Sequence, residues 1–392
     1  MKLVTNLSPL LPPLTGIGHY TKNLLSELNK LPVIEDIKGA SAIQWCDRQA
    51  LEQMLKSSGL ESDTNSQSKG SSLVRLAKQI PYARVAKRKL ERMQAQRKAK
   101  QLNGYVYWEP NYTLLPFDLP AAVTVHDLSH LHFPEYHPAE RVKVLTQGLE
   151  SSLRQGRRVI AVSEYTRQDL VKQFSLDPGL IDVVSPAVSD AFRQDFSRAE
   201  VESVRAKHQL PDSYILSVAT LEPRKNIIGL IQAFSRLSAD YRKQNPLVLV
   251  GAKGWKNDEL DRMIKPFIRS GELLMLGYVS QAELPVIYAA STCMAYVSFF
   301  EGYGMPVAEA MASGVPVITG NLSSMPEVAA GSALLADPYS IEDITMKLEQ
   351  MLSDQSLRET LSKQGREIAA DYTWSNSASK LLQALQKVET AQ

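Results

Sequence analysis

At 392 residues the chain exceeds the ~250–300 residues at which a single hydrophobic core stops growing, so two domains are expected. Its 44% hydrophobic and 22% charged residues are an ordinary globular composition with apolar material for two cores, and a formal net charge of +2 singles out no acidic partner. The two cysteines, Cys46 and Cys293, are far apart and sit in no His/Cys cluster, which argues against a disulfide framework or structural zinc and fits a reducing compartment.

Strand-like apolar runs alternate with amphipathic helical runs, the order of an α/β protein with parallel sheets. Residues 1–6 open the series as a strand and lack the pattern of a secretory signal. The Gly-rich turn Thr15-Gly16-Ile17-Gly18-His19-Tyr20 comes next, ahead of a helix at 20–31 with Leu24, Leu28 and Leu31 on one face. A dehydrogenase reading of that turn rests on the acids Glu35 and Asp36. Against it, Thr21 stands where the third glycine of the dinucleotide fingerprint belongs, and Pro9, Pro12 and Pro13 break the tight turn.

Residues 62–72 are polar and read as a loop. In the stretch that follows, 73–100, ten Lys and Arg stand against one acid, Glu91, with Leu73, Leu76, Ala77 and Ile80 on one helical face. This basic amphipathic segment, bounded at 69–100, suits an anionic membrane surface, which attracts each nearby cation by ~1 kcal/mol. The alternative is a solvated helix face. Nucleic acid is not expected, because no aromatic interleaving or finger motif accompanies the charge.

Further strands are expected at 104–108, 122–126, 158–163 and 181–185. The run Val123-Thr124-Val125-His126-Asp127-Leu128 puts His126 at the carboxyl end of a parallel strand, facing the crevice where such sheets bind ligands. His130, His132 and His137 follow on a Pro-containing loop, in a spacing that matches no common zinc pattern, so no metal site is assigned. Residues 186–211 read as a linker with a charged helix at 197–208. The domains are accordingly expected at 1–188 and 189–370, with a last helix pattern, carrying Trp374, Leu381, Leu382 and Leu385, within 371–392.

The second half offers strands at 214–219, 247–251, 273–276, 293–298 and 316–319, and helices at 227–237 and 341–352. The longest apolar run, 286–300, is shorter than the ~20 residues of a spanning helix, so no membrane anchor is expected.

Three constellations in this half and the first carry chemistry. The run Phe300-Glu301-Gly302-Tyr303-Gly304-Met305-Pro306 leads from a strand through a Gly-rich turn into a short helix bearing Glu309, which Gly314 ends. The helix start offers unpaired N–H groups to a phosphate, and Gly302 and Gly304 admit ligand close to the backbone. Glu309 is placed to hold a ribose diol, as carboxylates do in dinucleotide folds, and Glu301 a sugar hydroxyl. The run Leu221-Glu222-Pro223-Arg224-Lys225-Asn226 presents two cations between a strand and a helix. They can neutralise a departing diphosphate, the work a metal ion does elsewhere. His126 completes the set from the first half.

Together these motifs resemble the retaining GT-B glycosyltransferases of the family-4 type over nearly the whole chain, most strongly from 214 to 338. The Leu221–Asn226 run and Leu276-Gly277-Tyr278-Val279 look most like bacterial mannosyltransferases of surface polysaccharide and O-antigen assembly. The resemblance implies two Rossmann-like domains facing across a cleft, with the last helix crossing back to the first. It implies that Glu301 contacts the donor sugar with help from the backbone at Gly302, Tyr303 and Gly304, and that Glu309 holds the ribose. Arg224 and Lys225 would hold the diphosphate, and Gly277, Tyr278 and Val279 would receive the base. His126 would touch the sugar, while Gly16 and Gly18 make room for phosphates and acceptor.

The donor implied is a nucleotide sugar, GDP-mannose first and a UDP-hexose or dTDP-rhamnose otherwise, used without a metal. The acceptor implied is a lipid-diphosphate-linked glycan at the inner face of the cytoplasmic membrane, to which a cytoplasmic, peripheral protein would dock. Two departures stand out: Val218-Ala219-Thr220 replaces a Gly-Arg pair common in relatives, and Ser185-Pro186-Ala187-Val188 replaces an Asn-Gly. The competing readings are a sugar-nucleotide epimerase or phosphorylase on the same fold, and a non-catalytic membrane-docking subunit.

Overall fold

A computed structural model describes residues 1–11, 14–40, 45–57, 93, 101–155, 158–252 and 258–390. The polar loop at 62–72 and, Met93 apart, the basic segment 69–100 lie outside the described residues.

The described strands form two sheets. The first holds β1 (Lys2–Asn6), β2 (Asp36–Ala40), β3 (Trp45–Cys46), β4 (Tyr105–Glu109), β5 (Ala121–Val125), β6 (Arg158–Ala161) and β7 (Ile181–Val183), in the order β3-β2-β1-β4-β5-β6-β7. The second holds β8 (Ile215–Val218), β9 (Leu247–Val250), β10 (Leu273–Gly277), β11 (Cys293–Tyr296), β12 (Val317–Gly320) and β13 (Ala333–Ala336), in the order β10-β9-β8-β11-β12-β13. Every neighbouring pair is parallel except β2 with β3. Strands covered on both faces read as continuous apolar runs, and β4, β5, β9 and β11 are buried at every position.

Three strands escaped the sequence reading. β2 reads Asp-Ile-Lys-Gly-Ala, half polar because its burial is interrupted, and its Gly39 leaves room for the Leu7 side chain, which a Cβ there would meet at 2.2 Å. β3 has two residues and β13 ends its sheet. The helix expected at 20–31 runs over Gly16–Leu28 instead. Thr15 adopts extended backbone and its side chain accepts Gly18 N–H at 3.5 Å, so the Gly-rich run forms the first helical turn rather than a turn before it. Leu24, Leu25 and Leu28 are fully buried, which contributes about 1.5–3 kcal/mol each, while Leu31 lies beyond the helix end.

The last helix, Trp374–Thr390, packs against Gly16–Leu28 and against β4, β5 and β6 of the first sheet. Ser377 Oγ donates to Ser185 O at 2.7 Å, and Lys387 Nζ meets the Asp182 carboxylate at 2.5 Å. Arg193 ties the crossing by donating to Ala369 O and Tyr372 O at 3.0 and 2.8 Å.

In each sheet the strand order reverses once, between β1 and β4 and between β8 and β11. Ligands bind beyond the carboxyl ends of the strands at such points. The loops that follow β8 and β11 carry Arg224, Lys225 and Glu301, and the reversal makes these two loops neighbours.

Candidate active site

The loop after β8 makes a short 3-10 turn, Pro223–Lys225, and Asn226 enters the left-handed region at φ +54° before the helix Ile227–Arg236. Asn226 Nδ2 donates to Val297 O at 3.1 Å and to Pro338 O at 2.7 Å, and Phe299 N–H donates to Arg224 O at 3.0 Å. The bonds with Val297 and Phe299 fasten the loop after β8 to the loop after β11, and the bond to Pro338 fastens it to the loop after β13.

Glu301 lies at the centre, 7% exposed. Arg224 Nη1 stands 3.0 Å from Oε2, and Lys225 Nζ stands 2.6 Å from Oε1. Oε1 also accepts the hydroxyls of Tyr296 at 2.9 Å and Ser298 at 2.6 Å. Burial alone would raise the pKa of this carboxyl, but the Arg224 and Lys225 charges outweigh it and hold it at about 2. Burial works against the Arg224 charge too, and the carboxylates of Glu301, Asp127 and Glu222 overcome it and raise its pKa. Burial and the neighbouring Arg224 press the Lys225 ammonium the other way, down. The two cations read from the sequence as diphosphate ligands are thus engaged by the protein's own carboxylate.

Glu309 stands on the helix Met305–Ala312, with Oε2 accepting the Tyr288 hydroxyl at 3.0 Å. Burial pushes its carboxyl up to about 7, against the bond from Tyr288. Gly304 precedes that helix at φ +108°, a conformation suited to glycine, and Ser324 Oγ is placed between Glu301 O (3.0 Å) and Tyr303 O (2.7 Å). Tyr303 itself is buried.

The first domain's side of the cleft meets this loop directly. A Cβ on Gly302 would lie 1.7 Å from His126 O. Ser163 Oγ and Thr166 Oγ1 donate to Gly302 O at 2.6 and 3.2 Å. His132, Phe133 and Tyr165 place their rings around Phe300, with centroids 5.1, 5.7 and 5.8 Å away. His126 Nε2 lies 2.8 Å from Pro110 O, and because a carbonyl only accepts, Nε2 carries the proton and Nδ1 is the acceptor nitrogen. Burial lowers the pKa of this ring, which keeps it neutral.

The remaining histidines part company. His132 Nε2 meets Asp169 Oδ2 at 2.7 Å, His137 Nε2 lies 3.1 Å from Ser129 Oγ, and His130 is buried with both ring nitrogens unpartnered among the described residues. Among the described residues no group of three His, Cys, Asp or Glu stands close enough to hold a metal ion.

Other residues named from the sequence differ in exposure and in the space around them. Gly277 has φ +67° with open space at its Cβ position, Tyr278 is 66% exposed and Val279 is buried, all at the carboxyl end of the edge strand β10. Gly16 is open, whereas the space a Gly18 Cβ would need is taken by Pro9 O at 2.6 Å, so Gly18 serves the chain's own packing. Tyr296, Ser298, Tyr288, Glu222 and Asp127 escaped the sequence reading. Asp127 offered a signal, since it adjoins His126, and Ser298 lies three residues before Glu301; Tyr288 offered none, being 21 residues from the carboxylate it binds.

Residues 200–368 match the family described as Glycosyl transferases group 1, and residues 67–192 the one described as Glycosyltransferase Family 4. O-antigen chain mannosyltransferase B of Escherichia coli is 34% identical over 386 residues, covering 98% of this chain and 99% of its own. The serotype-specific mannosyltransferase WbdA of Escherichia coli is 29% identical over 246 residues, 60% of this chain and 30% of its own length. Among solved structures, HepE of Anabaena in complex with UDP and glucose aligns with a TM-score of 0.71 at 16% identity, over 99% of this chain and 100% of that one. WaaG, a glycosyltransferase involved in lipopolysaccharide biosynthesis, aligns at 0.69 and 15% identity, over 97% and 98%. The two α/β sheets with their crossing helix are the GT-B fold, and the chain belongs to the glycosyltransferases built from group 1 and family-4 domains.

Proposed function

We propose that this glycosyltransferase moves mannose from GDP-mannose onto a lipid-diphosphate-linked glycan in surface polysaccharide or O-antigen assembly, with retention of anomeric configuration. The observation that carries the reading is the ionised, buried Glu301 held between Arg224 and Lys225 beyond the carboxyl ends of β8 and β11. The near-full-length likeness to an O-antigen chain mannosyltransferase supports the choice of sugar.

On this reading the donor diphosphate takes Arg224 and Lys225 from Glu301, which then turns to the sugar hydroxyls beside the N–H groups of Gly302, Tyr303 and Gly304. Those two cations supply the charge neutralisation that a metal ion supplies elsewhere. Glu309 holds the ribose, the segment Gly277, Tyr278 and Val279 receives the base, and His126 offers Nδ1 to the sugar. Gly16, whose Cβ position is open, makes room for phosphates and acceptor. The bond from C1 to the donor phosphate breaks as the bond to the acceptor oxygen forms on the same face, and the leaving phosphate takes the acceptor proton.

The division into 1–188, 189–370 and 371–392 belongs to the same reading, with the acceptor on the first unit. The basic segment 69–100 docks a cytoplasmic protein to the anionic inner face of the membrane, supported by its ten cations against one acid between 73 and 100. No helix among the described residues is long and apolar enough to cross a membrane.

Donor turnover tests the reading. The protein is incubated with GDP-mannose, UDP-glucose, UDP-N-acetylglucosamine and dTDP-rhamnose in EDTA, with and without a lipid-linked acceptor extract. GDP release from GDP-mannose alone, dependent on acceptor, is expected. Turnover of another donor discards the sugar, an inverted anomer in the product discards retention, and turnover without acceptor points to an epimerase or hydrolase.

A further inference from the structure

Beside the reaction centre lies a second concavity of about 370 Å³, within the range of small-molecule sites. Glu222 and Pro223 line it, but Glu301, Arg224 and Lys225 do not. It straddles the two domains: Tyr136 comes from the first, Phe299 and Tyr339 from the second.

The rings around it form a ladder. Phe133 stacks on Tyr136 with centroids 5.5 Å apart and planes 4° from parallel. Tyr136 and Phe299 are 6.5 Å apart at 30°, and Phe299 and Tyr339 are 4.8 Å apart at 27°. Tyr339, at the outer end, is 62% exposed. A ladder of near-parallel rings ending in an exposed tyrosine is unlike core packing, where such a ring would be covered. Its faces are apolar, and its polar lining includes Glu222, whose largely buried carboxylate is paired with Arg224 at 2.8 Å, and the exposed Gln232 amide.

That mixture selects among occupants. An alkyl chain would strip water from the Gln232 amide without replacing its hydrogen bonds, at a cost of about 1–3 kcal/mol. A phosphate would find no Lys or Arg among the lining residues. A pyranose presents a face of C–H bonds to an aromatic ring and a rim of hydroxyls to carboxylate and amide groups, and both halves of that chemistry are present.

We propose that this pocket is a saccharide subsite holding a hexopyranose of the glycan chain, away from the unit that receives the new sugar. The inference rests on the glycan acceptor of the reading above. Position supports it: Phe299 lies two residues before Glu301 and Glu222 two before Arg224, so a chain leaving the reaction centre has only the width of these loops to cross.

The test is direct binding by the full chain of methyl α-mannoside, a linear mannose tetrasaccharide and dodecyl phosphate, read by ligand-observed NMR, with GDP binding measured in parallel. The tetrasaccharide is expected to bind more tightly than the monosaccharide. Tyr339→Ala is expected to weaken the tetrasaccharide about three- to tenfold, the worth of one aromatic contact, and to leave GDP binding unchanged. Tyr339→Trp, which keeps the platform, retains the affinity. Unchanged tetrasaccharide affinity in Tyr339→Ala overturns the proposal, as does no tetrasaccharide binding by the wild type. Loss of dodecyl phosphate binding alone overturns it in favour of a lipid. The two readings fail separately. Donor turnover with unchanged acceptor affinity in Tyr339→Ala sinks only the pocket. A tetrasaccharide effect in a protein that turns over no donor sinks only the transfer reaction.

Discussion

Lys225 Nζ lies 2.6 Å from Oε1 of Glu301, so the cation proposed to hold the donor diphosphate is paired with the protein's own carboxylate. With Arg224 on the other oxygen, Glu301 is a built-in counter-anion to both cations. Glu301→Gln therefore has two opposed effects. Turnover falls about 10²–10³-fold, the scale of losing one electrostatic contact to a transition state. Binding of GDP by itself tightens several-fold, because Lys225 loses its paired carboxylate and Arg224 keeps only those of Glu222 and Asp127. Steady-state kinetics with calorimetric titration of GDP checks both, and weaker GDP binding would show that Glu301 does not compete for Arg224 and Lys225.

Glu309 gives a pH dependence whose sign is fixed. Its carboxyl is pushed up to about 7, so the ionised fraction rises from roughly a tenth at pH 6 to nine-tenths at pH 8. If Glu309 holds the ribose as proposed, the diol donates to its ionised form, and GDP affinity is expected to rise about tenfold over that interval. The Tyr288 hydroxyl lowers this pKa, and Tyr288→Phe moves the midpoint upward. Glu309→Gln flattens the curve. Titrations of GDP at four pH values decide the matter.

At Gly302 the two domains approach closely in backbone. Its missing side chain leaves room for His126 O, which a Cβ would meet at 1.7 Å. Gly302→Ala is expected to separate the domains, raise the radius of gyration in small-angle scattering and reduce turnover at least tenfold, while circular dichroism stays unchanged. An active, compact variant would mean that the loop can give way.

Glu327 closes the same interface from another direction. Its carboxylate accepts Glu164 N–H at 2.8 Å and Tyr165 N–H at 3.0 Å, capping the helix Glu164–Phe174 from the opposite domain. A carboxylate at a helix N-terminus contributes about 1 kcal/mol. Glu327→Ala is expected to speed hydrogen exchange at the Glu164 and Tyr165 amides about fivefold, with distant amides unaffected.

The alternation of apolar runs with amphipathic ones was enough to read two parallel α/β sheets, because strands covered on both faces must be apolar throughout and the helices covering them must be so on one side. Glu301, Arg224, Lys225, Glu309 and His126 were legible as candidates because each sits in a loop or at a helix start just past an apolar strand, where local chemistry marks it. Their partnerships were not legible. Lys225 and Glu301 are 76 residues apart, Asn226 and Pro338 are 112, and Glu164 and Glu327 are 163. Such pairs meet only because β8 lies beside β11 and the first sheet faces the second, an order set by how helices cover the sheets rather than by any local pattern. Tertiary structure alone decided that Glu301 is ionised and Glu309 close to half-protonated at neutral pH. Two glutamates eight residues apart have the same intrinsic acidity, and what separates them is that burial brought two cations to one and a tyrosine hydroxyl to the other.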